Sequence, residues 1–210
     1  KLFNDAYRQD LIEHSMNPFL KYKLKTEKTE RVYLTEEELT AFENAGTIPG
    51  TVMDIHKYMF VFAAYTGGLR VSDMLLLQWK HFDGTNINFT IQKTGTQLSI
   101  RIPNKGLEIL NKYKPLKTNK EAFIFSQLPA GIDLKSNIEV DQQISGRTAL
   151  INKNLKEIAK MAGIGKSISF HISRHTWATR ALKKGISIDK VSKLMGHANI
   201  RETQIYAKIV

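Results

Sequence analysis

Cysteine is absent from the 210 residues. That excludes a disulfide framework, thiolate metal sites and thiol nucleophiles, and it fits a reducing compartment. No apolar run approaches ~20 residues, so no segment is expected to cross a membrane as a helix. A Gly-x-x-x-x-Gly-Lys-Ser/Thr loop is missing, which leaves a P-loop nucleotide site without support. So is a dense carboxylate cluster of the kind a two-metal nuclease needs. His171 and His175 have the i, i+4 spacing of metal ligands. However, Ile172 stands where a metalloprotease would carry its Glu, and no third ligand is obvious. Neither an initiator Met nor a signal-peptide pattern opens the chain at Lys1-Leu2-Phe3, so it is expected to be cut from something longer.

Acidic residues are in deficit. Twenty Asp and Glu face 31 Lys and Arg, for a net charge of +11 and an isoelectric point near 9.7. Such an excess is the electrostatic footprint of a polyanion binder, with nucleic acid the foremost partner. The basic residues are spread along the chain, so an anion would meet a folded surface rather than a tail. With 42% hydrophobic residues, the chain can bury a core without staples.

Hydrophobic periodicity predicts a mainly α fold with one small antiparallel β-hairpin, an α+β arrangement. An amphipathic helix is expected over 3–15, ended by Asn17-Pro18, and residues 20–31 read as a polar linker. Thr35-Glu36-Glu37-Glu38 forms a capping box, in which Thr and the Glu three residues on satisfy each other's backbone donors. The helix it starts runs to about Asn44. Val52 to Tyr65 is apolar on most sides, as a buried central helix is, and Gly67-Gly68 stops it. A short helix is expected over 71–79. Asn86 to Gln92 and Gln97 to Ile102 alternate polar and apolar residues around Thr94-Gly95-Thr96, the pattern of a hairpin. Helices follow near 105–113, 147–162 and 171–184, with Gly163 and Gly185 as C-terminal stops, then near 187–194 and 200–208. The organisation expected is a helical stub and linker over 1–31 and one domain over 32–210.

A basic protein that handles phosphodiesters without a metal needs cationic side chains and its own nucleophile. His171-Ile172-Ser173-Arg174 falls at the start of a helix, where free N–H groups and the dipole favour an anion. A second arginine, Arg70, follows a Gly67-Gly68 turn that allows close approach to a ligand. Two guanidiniums can hold the non-bridging oxygens of a phosphodiester through paired charge-assisted hydrogen bonds. Singly, each feature has a plainer reading. Gly67-Gly68 can be a helix stop, Arg70 a partner of Asp73, His171 a cap and Tyr206 a packed residue of an amphipathic helix.

In order, Thr66-Gly67-Gly68-Leu69-Arg70-Val71-Ser72-Asp73, Lys93-Thr94, His171-x-x-Arg174-His175-Thr176, Leu194-Met195-Gly196-His197 and Tyr206 resemble the catalytic domain of tyrosine recombinases. These are the lambda-integrase-like enzymes of DNA strand exchange. The resemblance covers residues 34–210; Asp73 stands where many members carry Glu. Asn17-Pro18-Phe19 followed by Tyr33-Leu34-Thr35-Glu36-Glu37-Glu38 is similar to integrases of conjugative transposons and related mobile elements.

The resemblance implies a tyrosine recombinase catalytic-domain fold and a site-specific integrase or recombinase that works without metal, ATP or other cofactor. Tyr206 would attack the scissile phosphate, forming a 3′-phosphotyrosyl bond. Arg70 and Arg174 would stabilise the transition state, and Lys93 would protonate the leaving 5′-oxygen, with Lys105 and other lysines as nearby alternatives. His171 would share in proton transfer with Tyr206, and His197 would hydrogen-bond a phosphate oxygen. Asp73 and His175 would support these groups from behind. The implied partner is double-stranded DNA. The full-length protein would form a homotetramer on two sites, this fragment would be monomeric without DNA, and no membrane is involved. The setting would be the bacterial cytoplasm, on the nucleoid. Two alternatives are a type IB topoisomerase that relaxes supercoils and a DNA-binding module without catalysis. The short distance from Leu194-Met195-Gly196-His197 to Tyr206 favours the recombinases, and no catalytic position is broken.

Overall fold

The capping box at Thr35 is formed as its sequence dictates. Thr35 Oγ1 accepts from the Glu38 N–H at 3.2 Å, and Glu38 Oε2 accepts from the Thr35 N–H at 2.8 Å. The computed structural model describes residues 2–16, 31–115 and 119–207, which fall into two units divided between residues 30 and 31.

In the first unit, helix α1 (Leu2–Arg8) is shorter than the 3–15 expected, and a 3₁₀ turn follows at His14–Met16. Asp10 adopts φ 54°. Asp10 N–H donates to Tyr7 O and Leu11 N–H to Ala6 O. These bonds make the left-handed stop usually marked by glycine, which is why no signal flagged it. The linker expected over 20–31 lies, up to residue 30, outside the described residues.

The second unit begins with α2 (Glu36–Glu43) and the buried α3 (Val52–Tyr65). Helix α3 is the hub, and α2, α5 (Asn104–Tyr113), α6 (Asn137–Met161) and α7 (Phe170–Lys183) all pack on it. Met59, Phe60, Phe62, Ala63 and Ala64 of α3 are fully buried, so the helix is apolar nearly all round because it is covered nearly all round. Between α3 and α5 come α4 (Val71–Leu75) and an antiparallel pair, β1 (Asn86–Thr90) and β2 (Gln97–Arg101), registered Phe89 to Leu98 and Thr90 to Gln97. Helices α8 (Ile188–Met195) and α9 (Arg201–Ala207) pack on α7 and on each other. Their shared core is Trp177, Ala178, Ala181, Val191, Met195 and Tyr206.

Two elements of the second unit depart from expectation. Helix α4 stops at Leu75 instead of reaching Trp79 because the following backbone pairs elsewhere. Leu77 O accepts from Ile124 N–H at 2.8 Å, and Trp79 N–H donates to Ala122 O at 3.0 Å. Helix α6 starts at Asn137, not 147, behind a Ser136 cap that accepts from the Glu139 N–H at 3.4 Å. Its first half buries only Val140, while Ile151, Leu155, Ile158 and Ala159 are buried in the second. Without a packed face that half has no apolar stripe for the sequence to display.

Candidate functional site

The site is assembled by helix ends. Helix α3 ends in a left-handed turn at Gly67 and Gly68, and Arg70 caps α4 immediately after it. Gly68 has no room for a side chain. A Cβ there would lie 3.1 Å from Arg174 Cα and 3.2 Å from Arg174 Cγ, at φ +61°. That close approach lets the Gly68 carbonyl accept from Arg174 Nη1 at 2.7 Å. Helix α8 ends the same way. Gly196, at φ +61°, turns the chain back, His197 N–H donates to Ser192 O, and Met195 O accepts from Arg174 Nη2 at 2.5 Å. Arg174 is thus held rigidly by two backbone carbonyls, each delivered by a glycine-terminated helix.

Arg174 is 4% exposed. Burial and then the neighbouring Arg70 charge bring its guanidinium down to about 10. Arg70 Nη1 is buried with no hydrogen-bond partner among the described residues; the nearest carboxylate oxygen, Asp73 Oδ2, is 4.0 Å away. Asp73 Oδ1 instead accepts from the Gln92 N–H at 3.1 Å, tying the base of the hairpin loop to α4. Burial raises the Asp73 carboxyl, against the pull of that N–H and of both arginines. One residue beyond Gln92, Lys93 is exposed on the loop. It lines an open cleft of about 460 Å³ with Ser72, Asn137, Asp141 and Ile144.

Three imidazoles complete the cluster. His171 is exposed at the first turn of α7, whose leading N–H, that of Phe170, is capped by Asn152 Oδ1 at 2.8 Å. His197 Nδ1 is hydrogen-bonded to buried Thr203 Oγ1 at 2.7 Å. His175 Nδ1 lies 2.6 Å from the Tyr206 hydroxyl, with both residues buried. All three are held below the usual imidazole range, first by burial and then by neighbouring positive charge. His197 is brought to about 4 and His175 to about 3. Burial raises the Tyr206 phenol, opposed by the charges of Arg174 and Arg31. The site therefore sets the Arg70 and Arg174 guanidiniums beside three imidazoles whose protonation is disfavoured and a phenol whose ionisation is disfavoured.

The six residues expected to carry chemistry divide as follows. Arg70, Arg174, His171, His197 and Tyr206 share one electrostatic neighbourhood. Lys93 stands beside it on the loop that Asp73 tethers. Sequence reasoning missed that the imidazole on the Tyr206 oxygen belongs to His175 and not His171, a difference of one helical turn that the HxxRH spacing leaves open. It also missed Thr203, which orients His197, and Arg31, whose charge reaches His171, His175 and Tyr206. Arg31 had no flanking motif to mark it. Among the described residues no group of three or more His, Asp or Glu is placed to hold a metal ion, and no helix is long and apolar enough to cross a membrane.

Residues 23–209 match the phage integrase family. The tyrosine recombinase XerA of Pyrococcus furiosus is 27% identical over 213 residues, covering 95% of this chain and 69% of that protein. A tyrosine recombinase of Thermosipho africanus is 27% identical over 184 residues, covering 84% of this chain and 57% of its own length. Among solved structures, a lambda integrase tetramer bound to a Holliday junction superposes with a TM-score of 0.68 at 18% identity, over 97% of this chain and 55% of that one. The chain thus spans little more than half to two thirds of the proteins it resembles.

Proposed function

The chain belongs to the phage integrase family, and from that footing we propose that residues 31–210 form the strand-cleaving and strand-joining domain of a site-specific DNA recombinase. The observation that carries this reading is the buried Arg70 guanidinium nitrogen without a hydrogen-bond partner, set beside the doubly anchored Arg174. A buried guanidinium N–H left without a hydrogen-bond acceptor is costly, and a phosphodiester oxygen supplies one.

With the phosphate seated there, the Tyr206 oxygen bonds to phosphorus while the bond to the 5′-oxygen breaks. The product is a 3′-phosphotyrosyl link and a free 5′-hydroxyl. Arg70, Arg174 and His197 donate to the non-bridging oxygens, whose charge grows in the transition state. His171, exposed at the rim, adds a further donor. Lys93 supplies the proton that the 5′-oxygen takes as it leaves. The phosphodiester energy is retained in the covalent link, so joining is the same reaction reversed. Tyr206 is packed in the core that its own chain's α7 and α8 provide, which supports cleavage by each protomer of the site it occupies. Double-stranded DNA is the partner, and the whole protein acts as a tetramer on two duplexes in the bacterial cytoplasm, an assembly supported by the lambda integrase tetramer's likeness in fold.

The test is a nicked suicide duplex carrying the protein's own recombination site, run on a denaturing gel. The parent protein should form a covalent DNA adduct, and Tyr206→Phe should form none while binding duplex almost as well. An adduct of normal yield from the Phe variant would place the nucleophile elsewhere.

A further inference from the structure

Cleavage also frees one proton: the phenol of Tyr206 must lose its hydrogen as its oxygen bonds to phosphorus. Resting on the cleavage reading above, we propose that His175 Nδ1 takes that proton during attack and returns it when the strand is rejoined.

The geometry is direct. His175 Nδ1 is 2.6 Å from the Tyr206 oxygen, and the two side chains are 5% and 2% exposed. No water need stand between them, and the ring centroids lie 5.4 Å apart at 50°. For the phenol to donate, the imidazole must be neutral with its own hydrogen on Nε2. His171 is the other imidazole at hand. Its ring stands edge-on to that of His175, centroids 4.4 Å apart, on the exposed side, and it makes no hydrogen bond to Tyr206 among the described residues. Helix α7 sets this order: of two histidines one turn apart, the second lies deeper, under α9.

The charges that face His175 explain why the transfer waits for substrate. The standing ones are Arg174 on α7 and Arg31 on the segment leading into α2; the titratable neighbours are His171 on α7 and His197 after α8, both themselves held below the usual imidazole range, and Tyr206 on α9 is the proton donor itself. Together with burial they hold His175 far below the phenol, so in the free protein the proton stays on Tyr206. A phosphate anion seated between Arg70 and Arg174 offsets those positive charges and makes the imidazole a stronger base at the moment attack is possible. The balance is complete. Tyr206 gives its hydrogen to His175 and its oxygen to phosphorus, Lys93 gives a hydrogen to the 5′-oxygen, and joining reverses each transfer.

His175→Asn tests this, because the Asn side chain offers an acceptor near the position of Nδ1 but cannot take a proton. Single-turnover cleavage of the nicked duplex at saturating protein should fall about 10²–10⁴-fold in His175→Asn and in His175→Ala. The second reaction uses Tyr206→Phe protein to join a 5′-hydroxyl strand to a DNA end carrying a 3′-(4-nitrophenyl) phosphate. Nitrophenolate leaves without a proton, so adding His175→Asn should change this rate by less than about threefold. Adding Lys93→Ala, which removes the group that accepts the 5′-hydroxyl proton, should slow it. Cleavage by His175→Asn within about threefold of the parent would reduce His175 to a tether for the phenol. Equal loss in both reactions would make its role structural, and either result overturns the proposal. A parent protein that forms no adduct overturns the cleavage reading itself and this assignment with it.

Discussion

At the scale of single residues, the site depends on one position that has no side chain. Gly68 combines a left-handed φ of +61° with contact against the Arg174 backbone. Gly68→Ala meets both obstacles at once. The left-handed strain alone costs about 1–3 kcal/mol, and the added methyl pushes on the residue that Gly68 O helps to hold. Urea unfolding should show a loss of that order. Adduct formation in the folded fraction should fall by more than ten-fold, because a small displacement of a transition-state donor is expensive. A stability loss with adduct formation intact would show that the Gly68 carbonyl does not position Arg174. Lys93 calls for a different measurement. Lys93→Ala should cleave slowly on ordinary DNA and recover on a duplex with sulfur at the bridging 5′ position, since a thiolate leaves without a proton. Arg70→Ala and Arg174→Ala should show no such recovery.

Elements carry the site through their ends more than their faces. The hairpin loop reaches the cluster because Asp73 on α4 accepts from the Gln92 N–H beside Lys93. Asp73→Ala removes that link, so its cleavage defect should resemble that of Lys93→Ala, with partial recovery on the sulfur-bridged duplex. A defect that sulfur leaves untouched would place the role of Asp73 with Arg70 instead. Helix α6 divides into two halves. In the second half Ile151, Leu155, Ile158 and Ala159 are buried, in a helix that packs on α3 and α7, whereas from 137 to 150 only Val140 is buried. An isolated helical segment of that length is marginal in water, so amide exchange should be much faster over 138–147 than over 152–160 in the free protein. Uniform protection along α6 would show that its first half is stabilised by something other than continuity with the second. That half also borders the cleft that Lys93 lines, so the same experiment repeated with DNA reports whether the duplex covers it.

For the whole molecule, the folded state suppresses histidine protonation. His56, His81, His171, His175 and His197 are all held below 6.5, first by burial in every case. The unfolded chain therefore binds protons that the folded chain does not, and stability rises with pH across that window. It should be complete above about pH 6.5 and decline as pH falls toward 4 and 3, where His197 and His175 titrate. Each unit of depression at a fully buried imidazole corresponds to at most about 1.4 kcal/mol. Urea midpoints measured from pH 8 to 4 at constant ionic strength should stay level down to pH 7 and then drop. A midpoint independent of pH between 7 and 4 would mean that these rings take up protons as readily in the folded protein as in the unfolded chain.

The amino-acid sequence by itself determined the helices that carry a local start or stop signal: α2 from its capping box, α3 from its mostly apolar surface and the Gly67-Gly68 stop, α7 from its stop before Gly185. Those signals are local hydrogen-bond and backbone chemistry, readable without neighbours. The sequence's ordered motifs, through their resemblance to tyrosine recombinases, also singled out Arg70, Lys93, His171, Arg174, His197 and Tyr206 as the residues proposed to serve a phosphodiester. Only the tertiary structure decided the end of α4, where pairing with residues 122–124 outcompetes the helix, and the early start of α6, whose first half has no core to imprint a pattern. It alone decided which histidine meets Tyr206. Both lie on one face of α7, and the choice rests on where α9 packs, which no spacing within α7 encodes.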